Sequence, residues 1–210
     1  MAASISEITA ITTIVQNVIL ALSGVTTAIL AYIGLSTWRK ELKGKSEYAK
    51  AKEVLKAVYK VRRAFMYVRN PAIYQYEYPD EMCDHSGHLK EEHNYEGTLY
   101  VYENRLKPLT EAFQELEEQN LDAQVEWGPE FQNVIIPLRK CMAKIQITIQ
   151  RMLEEKKNPH YVTKMSPEER AEESSVLYYG GEDSEHDKFT PKINAAIELF
   201  EKELRPHIKK

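Results

Sequence analysis

The chain is poor in cysteine, with only Cys83 and Cys141 among 210 residues. A single pair cannot staple a chain of this size, so a disulfide framework is excluded as the main source of stability. Charge is missing from one long stretch. From Ile8 to Trp38 there are 31 consecutive residues without Asp, Glu, Lys, Arg or His, and no Lys or Arg precedes Arg39. The uncharged run excludes a simple soluble domain. The lack of a basic start, together with the length of the run, excludes a cleaved secretory leader, whose apolar core is about 7–15 residues. Also absent are the phosphate loop G-x-x-x-x-G-K-[ST], the G-x-S-x-G elbow, H-E-x-x-H and G-x-G-x-x-G. No repeat of fixed period is present. The remainder is 29% charged over the whole chain yet keeps long apolar periodicities, which excludes a disordered polyelectrolyte.

What is present in the uncharged run is enough to cross a bilayer. A helix rises about 1.5 Å per residue, so roughly 20 apolar residues cross a 30 Å hydrocarbon core. The richest part is Val18 to Leu35, and the span is predicted at about residues 14 to 35, an uncleaved anchor with Gln16 and Asn17 near its outer end. Trp38 closes it with a side chain that favours the headgroup boundary. Arg39, Lys40, Lys43 and Lys45 follow at once, against the single Glu7 before the span. By the positive-inside rule the larger part stays in the cytoplasm and the short N-terminus lies outside. Reduced thiols at Cys83 and Cys141 suit that compartment. Ser23, Thr27 and Ala31, and Gly24 and Ala28, have a small-xxx-small spacing that permits close approach of a second helix.

Two oppositely charged regions follow. Arg39 to Arg69 carries eleven basic and three acidic residues, whereas Asn70 to Lys210 carries seventeen and twenty-eight. On a helix, Ala51, Val54, Leu55, Val58, Val61, Phe65 and Val68 share one face, and Lys52, Lys56, Lys60 and Arg63 the opposite one. The basic face is a solvated bundle surface, or a surface attracted to anionic lipid at about 1 kcal/mol per residue. Nucleic acid is a disfavoured partner, because no zinc-finger or ribonucleoprotein signature occurs and the acidic remainder repels phosphate. Gly44 is expected to loosen the junction with the span, and Pro71 to end the helix.

Further along, Leu99, Tyr102, Leu106, Leu109, Phe113 and Leu116 step by three and four, as do Ile135, Leu138, Met142, Ile145, Ile149 and Met152. Pro108 and Pro137 predict a kink or a helix start near each, and Trp127, Gly128 and Pro129 a turn between the two helices. Ser166 to Glu169 is a capping-box pattern with Pro167 at the first helical position. Tyr178 to Lys188 reads as a surface loop. A last helix starts at Thr190 and Pro191, buries Ile193, Ala196, Ile197, Phe200 and Leu204, and stops at Pro206. Ile73 to Tyr78, IYQYEY, alternates and reads as extended. The fold class is all-α: one N-terminal transmembrane helix followed by a bundle of about four main helices. The expected divisions are 1–38, short outer N-terminus and anchor; 39–71, basic amphipathic helix; 72–98, a Tyr/His-rich connector; and 99–210, the remainder of the bundle.

The connector holds the chemistry. Cys83, His85, His88 and His93 fall within eleven residues, and thiolate with imidazole is a zinc donor set. The spacing matches no finger or metalloenzyme signature, so the competing expectation is an exposed polar loop with no cofactor. The Glu-x-x-His pairs of di-metal bundles are absent from the helical segments. Tyr74, Tyr76, Tyr78, Tyr95, Tyr100 and Tyr102 surround the histidines and serve as core filling or as an interface.

Trp38, Arg39, Glu41, Leu42, Gly44, Lys45, Tyr48 and Ala51, followed by Tyr59, Arg62, Arg69 and Pro71, resemble a loose group of uncharacterised bacterial single-span membrane proteins. Phe189, Ile193, Glu201, Leu204, Arg205 and Pro206 are similar to that group's terminal helix. The resemblance covers about a third of the chain and implies an inner-membrane protein with a helical cytoplasmic domain; it supplies no activity and no catalytic residues. The leading expectation is therefore a membrane-tethered interaction or scaffold module whose partners are the bilayer and either a protein or itself. The alternatives are a metal-binding sensor or enzyme using Cys83, His85, His88 and His93, and a domain responsive to anionic lipid.

Overall fold

The computed structural model describes residues 5–158, 165–181 and 184–208. It is all-α, with five α-helices and no strand among the described residues. These are α1 (Ile5–Val68), α2 (Asn94–Trp127), α3 (Gln132–Lys157), α4 (Pro167–Leu177) and α5 (Thr190–Ile208). By its internal contacts the chain divides into two units, Met1–Glu47 and Tyr48–Lys210.

Within the described part of the first unit the chain is a single helical segment of α1. Gly44 lies inside α1 and does not interrupt it. A lone glycine costs only about 1 kcal/mol in a helix interior, which good helix formers on both sides offset.

The second unit is a bundle with one apolar core. From α1 it buries Ala51, Val54, Ala57, Val58, Val61, Ala64, Phe65 and Val68, a run at helical spacing that matches the expected face, with Leu55 only partly buried at its edge. The opposite residues Lys52, Lys56, Lys60 and Arg63 are exposed. Polar contacts fix the directions of the helices. Lys50 Nζ meets Asp122 Oδ2 at 2.9 Å and Lys60 Nζ meets Glu115 Oε2 at 2.6 Å, so α1 and α2 run antiparallel. Tyr59 donates to Glu201 at 2.9 Å while Arg69 reaches Thr190, so α5 also opposes α1. Arg139 pairs with Glu117 at 2.8 Å and Lys156 donates to Asn94 at 2.8 Å, which sets α3 antiparallel to α2.

Several local features follow the sequence directly. The α2–α3 turn is a short 3-10 segment, Pro129–Phe131, entered through Gly128 at φ 103°, a left-handed conformation that glycine adopts without strain. Ser166 Oγ accepts from the Glu169 N–H at 3.1 Å and Glu169 Oε2 accepts from the Ser166 N–H at 2.8 Å, so the capping box starts α4. The bundle helix α1 ends at Val68, three residues before Pro71.

Other features differ from the sequence reading. Of the two expectations for Pro108 and Pro137, a kink or a helix start, the start does not apply, because both lie inside α2 and α3. Pro206 does not stop α5, which continues to Ile208; so close to the helix end, proline removes one donor from an exposed last turn. The connector ends earlier than residue 98, because α2 begins at Asn94. Within it, Gln75–Glu77 forms a 3-10 turn instead of an extended strand, since the Glu77 carboxylate turns back to accept the Tyr74 N–H at 2.9 Å.

Candidate functional site

In the first unit every residue from Glu7 to Leu35 is exposed. The best 18-residue window has a mean hydropathy of 2.1 and none of it is buried, so the helix is long and apolar enough to cross a membrane. Leu20 is 69% exposed and Tyr32 76%, and Ile14, Val15, Leu30, Leu20 and Leu35, which stand roughly 0°, 100°, 160°, 240° and 300° around the helix axis, are all exposed. The threonines in this run satisfy themselves. Thr12, Thr13, Thr26 and Thr27 each donate to the carbonyl four residues earlier, at 2.8–3.0 Å, and Ser36 donates to Ile33 at 2.9 Å. Those hydroxyls need no water, the condition for residing in hydrocarbon.

Arg39, Lys40, Lys43 and Lys45 follow this surface, all exposed. Lys43 lies 3.8 Å from Glu47 and Lys45 3.7 Å from Glu41, and both lysine side chains are 72% exposed. Glu47 is itself buried, with a side chain 12% exposed, but pairs this long with so exposed an ammonium are worth about 0–1 kcal/mol and leave the lysines open to other anions.

The connector loop is closed by its own hydrogen bonds. Asp84 Oδ1 accepts the N–H groups of Ser86 and His88, each at 2.9 Å. These bonds, with the His88 N–H first, hold the Asp84 carboxyl below its ordinary value. Cys83 forms an isolated antiparallel bridge with Leu89, and Gly87, at φ 80°, packs so closely that an added Cβ would lie 2.2 Å from the Gln75 side chain. Cys83 is half-buried and His85 and His88 are exposed. Among the described residues no group of three His, Cys, Asp or Glu is placed to hold a metal ion. The four candidate ligands are therefore not brought together.

Two arginines that sequence reasoning did not single out as functional are the largest fully buried side chains of the body. Arg69, 1% exposed, closes the C-terminal end of α1. Its Nε donates to the Val176 carbonyl (2.9 Å), Nη1 to Thr190 Oγ1 (2.7 Å), and Nη2 to the Ser175 and Tyr178 carbonyls (2.8 and 3.0 Å) and to Asp187 Oδ1 (2.8 Å). Asp187 is saturated in turn. Its Oδ1 also accepts the Phe189 and Thr190 N–H groups, and its Oδ2 accepts the Gly180 N–H and the Thr190 hydroxyl. Burial alone would raise the Asp187 pKa; the Thr190 and Gly180 donors and the Arg69 charge outweigh it and hold the carboxyl below its ordinary value. The stretch read as a surface loop thus contains a buried ion pair.

Arg105 does for the connector what Arg69 does for this loop. Its side chain is 1% exposed and forks onto both Glu77 carboxylate oxygens at 2.6 and 2.8 Å, while donating to the Asn70 and Ala72 carbonyls at 2.6 Å. Burial pushes the Glu77 pKa up, but the Arg105 hydrogen bonds and charge and the Tyr74 N–H bring it below the ordinary value. The available signal was positional: Arg105 lies between Tyr102 and Leu109 at steps of three and four, and Arg69 four residues after Phe65. A charge at a core register implies a buried partner.

Beside the Arg69 network, α4 and the following loop line an open cleft of about 930 Å³, with Glu168, Glu172, Ser174, Tyr178, Lys188 and Lys192 on its walls. Two of its polar side chains are engaged: Glu172 pairs with Lys144 at 3.1 Å, and Ser175 Oγ accepts the Lys188 N–H at 2.8 Å. No family model, no curated protein and no solved structure matches this chain.

Proposed function

We propose that the protein is a membrane-tethered interaction module: the apolar part of α1 spans a bilayer once, and the bundle of the second unit, held on the cytoplasmic side, binds a protein partner or a second copy of itself. The observation that carries this reading is the contrast between two surfaces. The 18-residue apolar window of α1 is entirely unburied, whereas the body closes its own core from residue 51 onward. A helix apolar on all sides and unused by its own protein finds its solvent in lipid. The cations after Trp38 and their absence before it support an N-terminus outside and the body inside, and the inner membrane of a bacterium is what the resemblance to single-span membrane proteins implies. The mechanism is effective concentration, since a tether replaces a search through volume by a search near a surface.

Topology is tested by fusing to Lys210 either alkaline phosphatase, active only after export, or a fluorescent protein that matures only in the cytoplasm. The fluorescent fusion is expected to report and to sediment with membranes. An active phosphatase fusion overturns the orientation, and a fusion free in the soluble fraction overturns the tether. Cysteine crosslinking of the full chain in native membranes then separates self-association from capture of a different protein.

A further inference from the structure

We propose that Arg39, Lys40, Lys43 and Lys45 form a collar that selects anionic phospholipids around the anchor. This inference rests on the membrane reading and adds a ligand to it. Counting at 3.6 residues per turn, Lys43, Lys40 and Lys45 stand roughly 40°, 100° and 240° around the axis from Arg39. The cations therefore surround the helix instead of lining one side. A helix lying flat at an interface concentrates its basic residues on one face opposite an apolar one. Here the apolar residues before the collar are likewise exposed all round, with Leu35 at 52% and Trp38 at 57%. Both distributions suit a helix that stands in the bilayer and meets headgroups on every side.

The collar begins about 6 Å beyond Leu35 by helical rise and is about 9 Å deep, a headgroup layer placed next to the hydrocarbon. Between Arg39 and Lys45 the one acidic residue is Glu41. It lies 3.7 Å from Lys45, beyond a good hydrogen bond, so the lysine keeps donors for a phosphate. Arg39 offers a planar fork that fits phosphate oxygens in pairs. A cation next to an anionic headgroup is favoured by about fivefold in local lipid enrichment.

Trp38 is a built-in reporter, and Trp127 is the other tryptophan. The full chain carrying Trp127→Phe is reconstituted into phosphatidylcholine vesicles containing, at equal mole fraction, either phosphatidylglycerol or phosphatidylcholine brominated high on its acyl chain. The brominated phosphatidylglycerol is expected to quench Trp38 more strongly, with a relative association of about fivefold or more. The preference is expected to fall in Lys40→Gln, which keeps most of the positive bias, and to approach one in the Arg39→Gln, Lys40→Gln, Lys43→Gln, Lys45→Gln chain. Equal quenching by the two lipids overturns the collar while leaving the tether intact. Loss of the preference on adding soluble glycerol phosphate at matched ionic strength assigns the cations to free phosphate and also overturns it. Quenching by neither lipid means that Trp38 is not at a membrane, and the tether reading fails instead.

Discussion

Replacing Asp187 by Asn should cost far more than the loss of one exposed charge, and the geometry says how much. The carboxylate has five donors around it, three on Oδ1 and two on Oδ2, and its side chain is 2% exposed. An amide cannot serve them all. Whichever oxygen becomes NH2 faces either Gly180 and Thr190 or Arg69, so a donor meets a donor and Arg69 is left as a buried cation without its counter-charge. Breaking a buried pair in this way costs about 3–5 kcal/mol. Urea unfolding of the full chain in detergent, followed by Trp127 fluorescence in a Trp38→Phe background, reads the body alone. With a slope of about 2 kcal/mol per M, the midpoint should fall by about 1.5–2.5 M. The pH dependence supplies the control. Asp187 has a folded pKa below its unfolded value, so its contribution is complete above the ordinary carboxylate value of about 3.9 and is lost as pH falls through the lower folded value. The variant should therefore lack this part of the parent's stability loss below pH 4. A midpoint shift under about 0.5 M, or an unchanged acid limb, refutes the assignment of Arg69 and Asp187 as the pin of this loop.

The same reasoning gives smaller and larger effects elsewhere. Arg105→Met strips the Asn70 and Ala72 carbonyls and Glu77 Oε2 of their donor and leaves Oε1 only the Tyr74 N–H, so hydrogen exchange in residues 70–78 should accelerate while α5 stays protected; uniform protection contradicts the role given to Arg105. Lys60→Ala, which removes an ion pair between side chains 45% and 41% exposed, should shift stability by no more than about 1 kcal/mol by the same urea assay. Gly87→Ala forces a side chain into φ 80° and against Gln75, and should lower stability by about 1–2 kcal/mol or open the hairpin, visible as faster exchange at the Lys90 amide.

The helices were legible because their evidence is local. Ala51 to Val68, Ile135 to Met152 and Ile193 to Leu204 each repeat at helical spacing, and burial follows the repeat in the structure. The α2 stripe was read slightly off axis: Leu99 and Leu106 are only partly buried, whereas Val101 and Arg105 occupy the seam. Periodicity counts apolar residues, so it assigns the seam to Leu106 and passes over an arginine whose charge is neutralised by Glu77, 28 residues earlier. Asp187 was hidden for the same reason, since its partner Arg69 is 118 residues away. The histidine cluster illustrates the converse. Proximity in sequence put four metal-binding side chains into eleven residues, but the hairpin built on Asp84, Gly87 and Leu89 spends its backbone geometry on closing a turn, and no three of the four candidates converge.

One helix serves both units, and that sharing can be tested. The core of the body draws on α1 from Ala51 onward, and no residue before it belongs to that core. At Gly44 an added Cβ would meet nothing within 4 Å, so no side chain packs against this position. Inserting Gly-Ser-Gly-Ser after Gly44 should cost several tenths of a kcal/mol to about 1 kcal/mol per residue in local helix propensity. That cost is expressed as fraying at the insertion, because an exposed helical stretch opens without exposing any core. The stability of the body by the urea assay should therefore move by less than about 0.5 kcal/mol, and membrane sedimentation should be unchanged. A fall beyond 1 kcal/mol would mean that residues before Tyr48 contribute to the body's cohesion, and the division after Glu47 would be wrong. If both hold, a loss of crosslinking on insertion cannot be assigned to a changed fold of the body or to lost sedimentation with membranes.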